Sequence, residues 1–133
     1  MTAKNQIQQR LQGLDNRLWP ELNITDKKDN ELTFTFVVEQ HLQPLQGHFP
    51  QQAVLPGVAQ LHWAASLAQL AWNISLENYQ INNTKFKQMI LPDNHVQLKL
   101  VHKPEKNTVA FSYFQTATDH SYSSGSITYG ART

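Results

Sequence analysis

The sequence contains no cysteine. That absence removes disulfides, thiolate metal sites and a cysteine nucleophile together. An excess of either charge is missing too: 11 Lys and Arg stand against 10 Asp and Glu, for a formal net charge of +1. No strong field therefore directs the chain to nucleic acid or to an acidic membrane surface. Nor is there a long unbroken hydrophobic run. The longest apolar stretch, Val58 to Trp72, is interrupted by Gln60, His62, Ser66 and Gln69. At about 15 residues it is shorter than the roughly 20 needed to cross a bilayer. Met1 to Arg10 offers no apolar segment of the kind a signal peptide needs. These absences predict a soluble, cytoplasmic protein with neither nucleic acid nor membrane as partner.

What remains suits one domain spanning residues 1–133. The chain has 133 residues, 40% of them hydrophobic and 16% charged, which is enough to fill a core and unlike a disordered composition. Ile7, Leu11 and Leu14 recur at helical spacing, so a short amphipathic helix is expected there, ended by Gly13. Asp26-Lys27-Lys28-Asp29-Asn30 reads as a turn between two strands. Leu32, Phe34, Phe36 and Val38 alternate with Thr33 and Thr35, the period of a half-buried strand. Pro44 to Pro56, with Pro50 and Gly47 between them, reads as an ordered loop.

From Val58 to Trp72 there is neither proline nor glycine, and apolar residues fall on every face, as in a buried helix. Asn73 marks its expected end. Four more strands are expected around residues 79–87, 96–102, 108–116 and 122–129. The breaks between the last three are short enough for hairpins, so that part of the sheet should be antiparallel. A sheet wrapped around one long helix is an α+β layout. One sheet covers one side of a helix; the other side requires a second subunit.

Gly47 to Ala68 reads GHFPQQAVLPGVAQLHWAASLA. This resembles the β-hydroxyacyl-acyl carrier protein dehydratases, hotdog enzymes in which GHFP precedes a short variable stretch and a Pro-Gly that opens the central helix. Thr84 to Pro92 is similar to the family's lysine-phenylalanine strand leading to a proline turn, with Asp93 where glycine is common. Val58 to Trp63 is most similar to the small dehydratases of aryl-polyene gene clusters. The resemblance implies a hotdog fold and a homodimer with shared active sites, able to assemble further. It also implies a 3-hydroxyacyl substrate held on acyl carrier protein, and no cofactor or metal.

Dehydrating such a thioester requires a base near neutrality, donors for the thioester oxygen as it gains charge, and an acid for the departing hydroxyl. His48 suits the first task, since an ordinary imidazole titrates at about 6.5. On residue type alone it could equally be a hydrogen-bonded loop residue; its place in GHFP makes it the base. Gly57, with Val58 beside it, suits the second. Helix-start N–H groups lack intrahelical partners, and glycine lets a substrate approach the backbone closely. Pro56-Gly57 is also a simple helix-start turn, and both readings can hold.

The third device departs from the family. Its carboxylate position on the helix is occupied by His62, and no carboxylate occurs between Gln40 and Leu76. Two imidazoles sharing one proton would supply base and acid together, His48 from one chain and His62 from its partner. The alternative for His62 is a polar core residue bonded to a carbonyl. Trp63, Leu67, Leu70 and Trp72 are candidates for an acyl or aryl pocket or for plain core. Lys85 and Lys87 suit either an acidic carrier protein or a solvated face. His41, His95, His102 and His120 have no metal-ligand spacing. Two other functions remain open: a hotdog acyl thioesterase, and a non-catalytic thioester-binding subunit.

Overall fold

Alternation decides the strands, and their buried residues form one wall. The computed structural model describes residues 3–46 and 53–130. In chain order the elements are α1 (Ala3–Leu11), β1 (Asn23–Lys28), β2 (Glu31–Val37), α2 (Gly57–Trp72), β3 (Gln80–Phe86), β4 (His95–Lys103), β5 (Thr108–Gln115) and β6 (Ser121–Thr128). Every strand pair is antiparallel, and the sheet runs β1-β2-β4-β5-β6-β3. In register, Phe34 lies opposite Leu98, which lies opposite Tyr113, which lies opposite Ser123. All four are buried, so the rung presents one continuous inner surface to the helix. Each large apolar side chain buried there contributes about 1.5–3 kcal/mol relative to exposure.

The expected hairpins of β4, β5 and β6 are present. The place of β3 was not foreseen. It pairs with β6 at the far edge instead of with β4, its neighbour in sequence. The preceding helix lies across the sheet and delivers the chain to the opposite side. The expected turn at Asp26–Asn30 is tighter than the composition suggests: β1 runs on to Lys28, and Asp29 and Asn30 alone make the reversal. The first helix starts earlier than its apolar spacing indicates and ends at Leu11, before Gly13, with Ile7 and Leu11 buried.

α2 begins after Pro56, whose extended backbone (φ −64°, ψ 152°) precedes the first turn. It ends at Asn73, which takes the left-handed conformation (φ 53°) while its N–H bonds Gln69 O at 2.8 Å. Asparagine tolerates that geometry better than most residues. Trp63, Ala64, Ala65, Leu67 and Ala68 face the sheet and are buried. Trp63 stacks on Trp19 and meets Phe36 edge to face. The all-round apolar pattern is not all-round burial within this chain, however. Val58, His62 and Gln69 are exposed, Val58 at 71%, although Ala65 on the same side of the helix is buried. The side of α2 that faces the sheet is covered, and exposed Val58 leaves apolar surface at the start of the helix. No described helix is long and apolar enough to cross a membrane.

Candidate active site

The start of α2 is built into the molecule from four directions. Leu55 N–H donates to Ile90 O at 2.8 Å, tying the entering chain to the segment after β3. Ile90 is fully buried, and the turn that follows it is closed by Leu91 N–H to Asn94 Oδ1 at 2.8 Å. Asp93 in that turn has φ 69°. That left-handed geometry accounts for the glycine expected there, and aspartate is one of the few residues that replace it at low cost. Its N–H reaches Val38 O at 2.7 Å, and its carboxylate accepts from Gln40 Nε2 at 2.7 Å.

Of the first N–H groups of α2, those of Ala59 and Gln60 both return to Pro56 O at 3.1 Å. The N–H groups of Gly57 and Val58 have no acceptor among the described residues, the ordinary condition of a helix start. They lie at a cleft of about 940 Å³ lined by Val54, Leu55, Leu61, Phe86, Met89 and Leu91 among others. That volume is in the range of small-molecule sites. Three exposed apolar side chains belong to it: Val58, Phe86 (53% exposed) and Met89. Phe86 lies against the helix start so closely that a Cβ on Gly57 would stand 2.8 Å from its Cζ. Any side chain at this position would have to displace that ring, a reason for glycine that the sequence alone did not supply. Lys87 lines the same cleft.

His62 stands one turn beyond Val58 on α2. It is exposed and has no hydrogen-bond partner among the described residues. Its ring centroid is 6.0 Å from that of Trp19. Trp19 is held by the turn beginning at Asp15, where Trp19 N–H donates to Asp15 O at 2.9 Å and the Arg17 guanidinium bonds the Asp15 carboxylate at 2.8 Å. That partnership lowers the Asp15 carboxyl to about 2. His62 does not line the cleft. His48, with the rest of Gly47-His48-Phe49-Pro50, lies outside the described residues.

Trp63 and Leu67 are core, and Leu70 and Trp72 are half-buried away from the cleft; the residues of α2 that line it are Gly57, Val58, Gln60 and Leu61. The sequence reading also passed over Gln60, Tyr113 and Ser123. Gln60 is buried, donates from Nε2 to Leu55 O at 3.0 Å and accepts at Oε1 from Ser123 Oγ at 2.6 Å. Tyr113 donates its hydroxyl to Gln60 O at 2.6 Å, and its burial pushes the phenol well above its ordinary range. Among the described residues, no three His, Asp or Glu side chains converge as metal ligands would. An apolar cleft with the Phe86 ring on one wall and two helix-start N–H donors unengaged among the described residues can hold an acyl thioester and stabilise negative charge on its oxygen.

Comparison with known proteins gives the same direction. The family model described as ApeI-like, ApeI dehydratase, matches residues 24–126. A 3-hydroxyacyl-[acyl-carrier-protein] dehydratase FabZ from Clostridium novyi (strain NT) is 32% identical over 63 residues, covering 41% of this chain and 44% of that protein. The match thus spans less than half of that relative. The solved dehydratase heterocomplex ApeI:P from Xenorhabdus doucetiae aligns with a TM-score of 0.73 at 30% identity, covering 84% of this chain and 97% of that one. Thioesterase superfamily member2 from Mus musculus aligns with the same TM-score of 0.73 at 12% identity, over 98% of this chain and 99% of that one, a likeness of fold alone. The fold is the hotdog fold, and with the family model covering most of its length the chain belongs to the ApeI-like dehydratases.

Proposed function

We propose that this protein dehydrates a 3-hydroxyacyl thioester presented on an acyl carrier protein, giving the trans-2-enoyl thioester and water, in fatty-acid or aryl-polyene-type biosynthesis in the cytoplasm. The observation that carries the reading is the pair of N–H groups at Gly57 and Val58, unengaged among the described residues and at an apolar cleft, in a chain of a dehydratase family. His48 removes the α-proton. The electron pair of that C–H bond moves toward the thioester carbonyl, whose oxygen is held by the Gly57 and Val58 N–H groups as it gains charge. The electrons then return to form the α,β double bond as the C–O bond breaks, and His62 delivers a proton so that hydroxide departs as water. The base ends protonated and the acid deprotonated; one proton exchanged with solvent or between the rings restores both. The scheme draws on no metal or cofactor.

His62 is exposed on α2 and does not line the cleft of its own chain. We therefore assign it to the site of a second copy, in a homodimer with two shared sites and room for further assembly. The exposed edge of β3 and the exposed Val58 and His62 of α2 support such a contact. The Xenorhabdus doucetiae relative is a heterocomplex, which makes a partner of different sequence the alternative occupant.

The reaction is tested by incubating the purified protein with carrier-bound 3-hydroxyacyl thioesters and weighing the acyl group by mass spectrometry. Loss of one water is the expected result, abolished in His48→Ala. Release of free acid and carrier thiol would make the protein a thioesterase instead, and no change with any substrate would leave a thioester-binding subunit. His62→Ala is expected to lose turnover. An inert wild type activated by His62→Glu would overturn the histidine acid.

A further inference from the structure

Gln60 has no place in the scheme above, yet it is the most heavily bonded side chain near the site. Among the described residues only Thr33, Gln60 and Ser123 are buried and polar, and two of these three bond each other. Its amide nitrogen holds Leu55 O, its amide oxygen receives the Ser123 hydroxyl, its carbonyl receives the Tyr113 hydroxyl and its N–H closes the first turn on Pro56 O. Leu55 is thereby gripped from both sides, by Ile90 through its N–H and by Gln60 through its carbonyl. Gly57 and Val58 lie between the two ends of this clamp.

The sheet register supplies the far half of the clamp. Ser123 is paired with Tyr113 on β5 and with Phe86 on β3. One rung therefore sends three groups to the same turn of α2: the Tyr113 and Ser123 hydroxyls to Gln60, and the Phe86 ring to Gly57. A glutamine in an apolar helix is costly to bury unless both ends of its amide are engaged, and here they are.

We propose that Gln60 is a positioning residue for this site, fixing the Gly57 and Val58 N–H groups where the thioester oxygen becomes negative. The proposal rests on the dehydratase reading. Oriented donors act mainly on the transition state, so their misalignment lowers kcat more than it raises KM.

Three variants test this with a carrier-bound 3-hydroxyacyl thioester that the wild type turns over. Gln60→Met keeps the volume and removes both bonds. Its kcat is expected to fall on the order of ten- to a hundredfold with KM within about twofold; a kcat within about twofold of wild type overturns the proposal. Gln60→Glu reads the bond itself. As a neutral acid it can donate to Leu55 O, and once ionised it only repels that oxygen. Its kcat relative to wild type should fall as pH rises, while the ratio for Gln60→Met stays flat; a flat ratio for Gln60→Glu overturns the proposal. Should Gln60→Met fail to fold, Ser123→Ala removes one bond without touching the helix and is expected to lower kcat several-fold at constant KM, with unchanged kcat as the contrary result. If the wild type turns over no 3-hydroxyacyl thioester, the functional reading fails, and positioning is judged by amide NMR. Gly57 and Val58 N–H resonances should shift and Leu55 N–H should exchange faster in Gln60→Met or Ser123→Ala; no change there overturns the inference.

Discussion

Tyr113 is fully buried on β5, and its hydroxyl reaches a helix carbonyl already used by the helix itself. Burial raises its phenol well above the ordinary range, so it remains a donor at any working pH. Tyr113→Phe removes one hydrogen bond without opening a cavity. We expect a loss of about 1 kcal/mol, within the usual range for a single buried bond, read from urea unfolding; no loss would mean that the bond does not hold the helix. His102 gives a pH dependence. Its ring lies between Trp72 and Tyr129, its Nε2 is 2.5 Å from the Tyr129 hydroxyl and its Nδ1 is buried without a partner among the described residues. Burial lowers its pKa, and Glu105 pulls weakly the other way. The unfolded ring therefore takes up a proton first as pH falls through about 6.5. Stability from the neutral ring is fully present above that pH and is lost as pH falls toward the lower folded value. Tm followed from neutral to about pH 5 should drop less steeply in His102→Phe than in wild type. Equal slopes would remove His102 from the acid response. The sequence singled out His48, Gly57 and His62 because their spacing matches a family pattern, and of these His48 lies outside the described residues. Gln60 was not legible, since its partners Tyr113 and Ser123 are distant in sequence and nothing local distinguishes a buried glutamine from an exposed one.

Among the elements, α2 carries the site, and its two ends are tested separately. Gly57→Ala would place a methyl 2.8 Å from the Phe86 ring. Because that ring is half exposed, it can swing aside, and stability should change by no more than about 0.5–1 kcal/mol. The displaced ring and the new methyl would crowd the two N–H donors. We expect kcat/KM to fall on the order of tenfold or more, and unchanged kinetics would remove the helix start from the mechanism. At the other end Asn73 holds φ 53°. Asn73→Ala should cost about 1 kcal/mol and Asn73→Gly should cost nothing or stabilise slightly, as thermal unfolding would register. The strands and both ends of α2 could be read from alternation, proline, glycine and asparagine. The position of β3 could not, because edge pairing with β6 depends on where a whole helix sends the chain, and no local pattern encodes that.

For the whole molecule, the apolar helix with exposed Val58 and His62 is the feature that the sequence and the fold share. The sequence implied that the helix needs cover on all sides, and the chain itself covers the side facing the sheet. In the proposed dimer, a second copy laid over Val58 and His62 would complete the cover and bring its own His62 toward the cleft to which His48 is assigned. Co-expression of differently tagged His48→Ala and His62→Ala chains, each inactive alone, puts both lesions into one dimer. A heterodimer would carry both lesions in one of its shared sites and none in the other. Random pairing then restores about a quarter of wild-type activity, because half of the dimers are mixed and each has one intact site of two. Recovery near that level is the result this account predicts; a mixture as inactive as either parent, with mixed dimers isolated by their two tags, would contradict it.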